Sequence, residues 1–174
     1  THSHPDHYGG AYWLQKETGS EIITSARFRM FWDPTEAPDI DVEDAADIPV
    51  QRRPWDATPW GGPGYDIPWQ RKMRYAVARR VPGLIKTPKP TVRLDDSEHI
   101  RFARREWIAL HTPGHTDDHL CLFDPEHGLM LCGDHVLPTI TPHISGLIGT
   151  RDPLKKFFQS LDKVAEFGSQ VTTA

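Results

Sequence analysis

The sequence is poor in most features that announce a function. It holds two cysteines, Cys121 and Cys132, which form no CxxC pair and lie in apolar stretches. That excludes a disulfide-stapled scaffold; two buried free thiols point to a reducing, cytoplasmic setting. No apolar run approaches the roughly 20 residues that cross a bilayer, so no membrane association is expected. No signal peptide is visible either. Neither charge sign dominates: 20 Lys+Arg against 24 Asp+Glu leave a net charge of −4. A nucleic-acid partner held by a basic surface is therefore not expected.

What is present is proline, glycine and histidine, at 16, 13 and 10 residues in a chain of 174. The length fits a single domain over residues 1–174. Residues 8–18 read as a helix stopped by Gly19, and 21–24 as a short buried strand. Ser25 is expected to cap a short helix over 27–32. Periodicity then disappears from 33 to about 69, in a Pro/Asp/Trp-rich segment too long for an ordinary connection. With the helix expected over 70–81, it forms an insertion of about 33–90. Trp32, Trp55, Trp60 and Trp69 either line an apolar pocket or form the insertion's own small core. Arg71, Lys72, Arg74, Arg79 and Arg80 read as a solvated helix face, with an anion grip as the sharper alternative.

Beyond Lys89 short apolar runs separated by turn residues predict strands over 91–94, 99–103, 106–111, 119–123 and 129–132. Residues 152–167 predict an amphipathic helix, capped by Asp152, with Leu154, Phe157, Phe158, Leu161, Val164 and Phe167 on one face. Late strands under a covering helix imply a layered α/β or α+β domain.

The chemistry concentrates at three places. The chain opens THSHPDHYGG, so His2 and His4 point the same way if the segment is extended, with Asp6 and His7 turning toward a neighbouring point. His115 ends a TPGH element after one predicted strand, and Asp134 stands in a CGDH element after another. Imidazoles and carboxylates suit zinc, with iron or manganese as alternatives.

HxHxDH, then TPGH, then GD, in that order, resembles the metallo-β-lactamase superfamily, over residues 1–24 and 91–167. The resemblance implies an αββα sandwich, here incomplete and carrying the Pro/Trp-rich insertion. It implies that His2, His4 and His115 hold one metal, Asp6 and His7 a second, and that Asp134 bridges them. It further implies a hydrolase in which a metal-bound hydroxide, oriented by Asp6 as the catalytic residue, cleaves an ester, thioester, lactone or amide-like bond of a small molecule. The substrate-binding residues stay unidentified.

Two departures from the family pattern lead to the expectation of a chain cut at both ends: HxHxDH starts at the second residue, and no histidine follows His143. Alternatives are an iron-dependent oxidoreductase of the sulfur dioxygenase kind, or a truncated non-catalytic fragment. His119 is expected beside the metal ligands, His111 as a supporting or merely structural residue, and His135 and His143 as loop polars.

Overall fold

The computed structural model describes residues 1–29, 66–81, 86–144 and 152–174. Trp32, Trp55, Trp60 and most of the predicted insertion lie outside them. The elements are α1 (Pro5–Tyr8), α2 (Ala11–Thr18), β1 (Ile23–Ser25), α3 (Trp69–Arg80), β2 (Val92–Leu94), β3 (His99–Phe102), β4 (Arg105–His111), β5 (Leu120–Asp124), β6 (Leu129–Leu131) and α4 (Pro153–Ala165). Strands β3–β6 form an antiparallel sheet in sequence order, and β1 and β2 form a separate parallel pair. The mixed α/β class expected from the sequence is the observed one.

Period-two alternation sorts the antiparallel sheet into two faces. Leu110 opposes Cys121 and Ile108 opposes Phe123, so these four share one face. With Met130 they form a core covered by Val164, Phe167 and Val171, from α4 and the residues after it. Ala109 opposes Leu122 on the other face, which packs through Leu120 and Ile100 on Ile23, Val92 and Leu94 of the parallel pair. The described layers are thus sheet, sheet, helix. Between the sheets lies a cavity of about 360 Å³ lined by Ile23, Phe28, Leu94, Phe102, Leu122 and Leu131, with His2 and His7 at its edge.

Two local expectations need correction. Ser25 caps no helix over the described residues after it: its hydroxyl accepts from Arg27 N at 3.1 Å, which makes a hydroxyl-stabilised turn instead. In α4, Asp152 accepts from Lys155 N at 2.9 Å as an N-cap, but Leu154 and Phe158 are exposed, at 51% and 56%. The helix faces inward along Phe157, which packs on Gly114 and His135, and Val164, which packs on the sheet core; at about 100° per residue Leu154 and Phe158 stand roughly 60–100° away from Phe157. Trp69 is 69% exposed, and the reading that groups it with Trp32, Trp55 and Trp60 lies outside the described residues. Arg71, Arg74 and Arg80 on the same helix are exposed, as a solvated face requires.

Two glycines hold the loops that matter. A Cβ on Gly114, at φ +141°, would lie 2.5 Å from Phe157 Cα, so the TPGH loop can press directly on α4. A Cβ on Gly133, at φ +52°, would lie 2.8 Å from both His119 Nε2 and Thr1 Oγ1. The β3–β4 turn is less well suited to its backbone. Phe102 pairs with Arg105, and the two residues between them, Ala103 and Arg104, have φ of +50° and +61°. That is a type I′ hairpin turn built without its preferred Asn-Gly, and left-handed backbone costs such residues about 1–2 kcal/mol each. Replacing Ala103-Arg104 by Asn-Gly is therefore expected to stabilise the chain by about 1–2 kcal/mol; thermal or urea unfolding checks this.

Candidate metal centre

The first two ligand candidates come from the extended residues before α1. The residue preceding that helix, His4, is extended at φ −76° and ψ 140°. Its neighbours in sequence alternate sides, so His2 and His4 face one way and Ser3 the other. Pro5 then opens α1, which turns Asp6 and His7 away from that line. His115 comes from the loop between β4 and β5, and Asp134 from the turn after β6. These loops sit at one end of the sheet because β4 ends, and β5 begins, beside the N-terminal segment: Leu120 N donates to Thr1 O at 2.9 Å.

The structure brings His2, His4, His115 and Asp134 together, with one potential ligand atom of each within 4.8 Å of the others. His4 Nδ1 lies 3.0 Å from His2 Nε2 and 2.9 Å from His115 Nε2. Asp134 Oδ2 lies 3.5 Å from His115 Nε2 and 3.9 Å from His2 Nε2. The other oxygen of the same carboxylate, Oδ1, stands 3.2 Å from His7 Nε2. Asp6 Oδ2 is 3.9 Å from that His7 nitrogen. Asp134 thus presents one oxygen to the three-histidine point and one to the His7 side. Asp6 sits at the rim, with its side chain 79% exposed, outside the tight four-residue group.

The imidazole protons decide what this cluster fits. His115 Nδ1 donates to the His143 carbonyl at 2.7 Å, which leaves Nε2 a bare lone pair. Thr1 Oγ1 lies 3.2 Å from His2 Nδ1 and 3.3 Å from His7 Nδ1, so one hydroxyl oxygen can accept from both. His2 Nε2 is then bare as well. His4 Nδ1 can offer a proton to only one of the two, and the other lone pair stays unanswered. A bound cation answers all three at once. Zinc–nitrogen bonds of about 2.0–2.1 Å set tetrahedral edges near 3.3 Å, so the two spacings from His4 Nδ1 need to open, and the two from Asp134 Oδ2 to close, by only about 0.2–0.6 Å. The residues present therefore fit a metal ion.

Electrostatics point the same way. Burial first, then the neighbouring His7, His115 and His4, push the His2 imidazole down to about 2. Burial and His115 lower His4 as well. Both rings are thus held neutral, the state a metal ligand requires.

The residues behind the ligands sort themselves. His119 is fully buried, its Nε2 accepting from Asp134 N at 3.2 Å and its Nδ1 lying 2.8 Å from Thr112 Oγ1. It holds the turn that carries Asp134. His111 Nε2 donates to the Asp117 carbonyl at 2.7 Å, closing the base of the TPGH loop. Ser160 of α4 donates to Pro113 O at 2.7 Å and props the same loop. His135 is buried with its ring 5.0 Å from that of Phe157, in the core and outside the donor group. His143 contributes its carbonyl, while its side chain lies at the surface. Sequence reasoning passed over Asp118, which is 3% exposed and accepts from Ser3 Oγ at 3.0 Å. The doubled acid after His115-Thr116 was visible, but nothing in it tells which aspartate turns inward.

Comparison with known proteins agrees with this geometry. A model of the metallo-beta-lactamase superfamily matches residues 1–169. The structure is similar to that of a metallo-beta-lactamase family protein from Thermus thermophilus, with a TM-score of 0.62 and 23% identity over 99% of this chain and 52% of that one. It is also similar to a beta-lactamase domain protein from Burkholderia ambifaria, with a TM-score of 0.58 and 20% identity over 100% of this chain and 45% of the other. At those identities the likeness is one of fold. A hydroxyacylglutathione hydrolase from Synechococcus sp. (strain JA-3-3Ab) is 41% identical over 49 residues, 28% of this chain and 19% of that protein. The chain spans about half the length of the solved structures it matches.

The buried imidazoles set the acid response of the metal-free chain. His2 and His119 are both pushed down to about 2, chiefly by burial, so below their ordinary value near 6.5 the unfolded chain binds protons that the folded chain refuses. Burial raises Asp118 to about 6, which acts in the opposite sense between its ordinary 3.8 and about 6. Two histidines outweigh one aspartate. The urea midpoint of the metal-free protein should therefore fall between about pH 7.5 and about pH 5; a flat or rising midpoint contradicts the burial of neutral rings.

Proposed function

Because this chain belongs to the metallo-β-lactamase superfamily, we propose that it is a metal-dependent hydrolase of an ester, thioester, lactone or amide-like bond in a small molecule. One observation carries the reading: three imidazole nitrogens and a carboxylate from three separated stretches converge, with the second oxygen of that carboxylate turned toward His7. Donor sets of this kind suit zinc, and a place for two ions follows from the two-sided Asp134. Iron or manganese is the alternative.

A bound divalent cation supplies Lewis acidity, which acidifies water and polarises a carbonyl. The side chains do the rest. His2, His4 and His115 would hold the first ion, Asp6 and His7 the second, and Asp134 would span the two. The His143 carbonyl and the Thr1 hydroxyl keep the bare nitrogens of His115 and His2 aimed inward. Asp6, exposed at the rim 3.9 Å from His7 Nε2, would accept a proton from water entering there. The antiparallel sheet and α4 hold the two loops, so little reorganisation is needed when substrate arrives.

Zinc content and turnover over a panel of esters, lactones, lactams and thioesters test this reading. Hydroxyacylglutathione belongs in the panel because of the short match to a hydrolase of that name. His115→Ala is expected to lose the first ion and all turnover. Asp6→Asn should keep the first ion and lose at least about a hundredfold in turnover, as expected for removal of a general base. Protein carrying iron alone, with oxygen uptake and no hydrolysis, would favour an oxidoreductase instead.

A further inference from the structure

Ser3 stands between two ligand candidates, yet its own side chain points the other way, into the protein. There its hydroxyl donates to Asp118 Oδ1 at 3.0 Å. Asp118 is 3% exposed, although a buried carboxylate is costly unless it is put to use. It sits on the loop that also carries His115. That loop is fixed at its base by the hydrogen bond from His111 to Asp117 O and by the pairing of Thr112 N with His119 O at 2.9 Å. Ser160 fixes its crown. Among the described residues, and apart from the contact of His4 with His115, the N-terminal segment is tied to this frame by the backbone bond from Leu120 N to Thr1 O and the bond from Ser3 to Asp118. Only the second lies between His2 and His4.

We propose that Asp118 is a positioning residue of the metal centre: through Ser3 it locks the His2–His4 segment to the loop that carries His115, so that the three imidazoles meet in advance of the ion. This inference rests on the reading of the cluster as a metal site. Neither Ser3 nor Asp118 touches the ion or a substrate; each acts through the backbone between the two histidines. Burial lets the Asp118 acceptor oxygen hold that hydrogen bond without competition from water.

The test is zinc affinity of the purified chain, measured by competition with a chromophoric chelator, together with the visible spectrum of the cobalt-substituted protein. Supporting partners of metal ligands typically contribute about 10–100-fold in affinity. Ser3→Ala is expected to weaken the first zinc about tenfold and to alter the cobalt ligand-field bands. Its thermal midpoint without metal should fall by only a few degrees, because Asp118 loses one hydrogen-bond donor and the packing is otherwise unchanged. Asp118→Ala should weaken zinc to the same extent, and the double variant no further, since the two residues form one clamp. Asp118→Asn retains an acceptor oxygen and should restore affinity to within about threefold of the parent. Unchanged zinc affinity and cobalt spectrum in Ser3→Ala would overturn the proposal, as would additive losses in the double variant. If Asp118→Ala does not fold, Ser3→Ala and Asp118→Asn still decide. A parent chain that binds no zinc would instead defeat the metal reading itself.

Discussion

The constraint on which this structure depends is the gathering of neutral imidazole lone pairs at one buried point. His2, His4 and His115 bring their ring nitrogens together, with His4 about 3 Å from each of the other two, and there is one proton at most to share among them. Apart from a cation such an arrangement is unfavourable: burial and the neighbouring imidazoles push His2 and His4 toward their neutral forms, and the ring lone pairs face one another. Domains of this size are stable by only about 5–15 kcal/mol, so a cluster of this kind weighs on the whole fold. Binding energy of an ion at the cluster would count as folding energy. It would also tie the N-terminal segment to the two loops more firmly than a few hydrogen bonds can.

The scaffold delivers those groups by placing strand ends together. β4 ends and β5 begins at the same edge, and the turn after β6 returns beside them. Each loop then needs a device that the sheet cannot supply. The TPGH loop approaches α4 so closely that only glycine fits at 114, and Ser160 holds its carbonyl. The turn bearing Asp134 wraps over His119 with glycine at 133, and the His119 ring accepts its backbone N–H. Rigid elements and tight loops together hold the ligand candidates from opposite ends of a long stretch of chain, from His2 to Asp134, within one small volume.

Much of this was legible in the sequence, and for physical reasons. Short apolar runs bounded by turn residues located the strands from β2 to β6 to within a residue or two, because turn chemistry and local apolar character survive without context. The ligand candidates were legible because histidine and aspartate at such spacing have few other uses. What escaped notice depended on tertiary context. Ala103-Arg104 carries no turn signal, yet both residues take left-handed backbone because the strands on either side demand a two-residue turn. Leu154 and Phe158 looked like core, but the contact line of α4 passes beside them. Nothing in the Asp117-Asp118 pair tells which acid turns inward, and it is Asp118 that accepts from Ser3. The tryptophans of the insertion, apart from Trp69, fall outside the described residues.

The central claim is that side chains far apart in the chain share one ion. X-ray absorption at the zinc edge of the loaded protein tests it most directly. A first shell of nitrogen and oxygen neighbours at about 2.0–2.1 Å, with the multiple scattering of three imidazoles, is the predicted result. A shell containing sulfur at about 2.3 Å would place the ion on Cys121 or Cys132 and contradict the account.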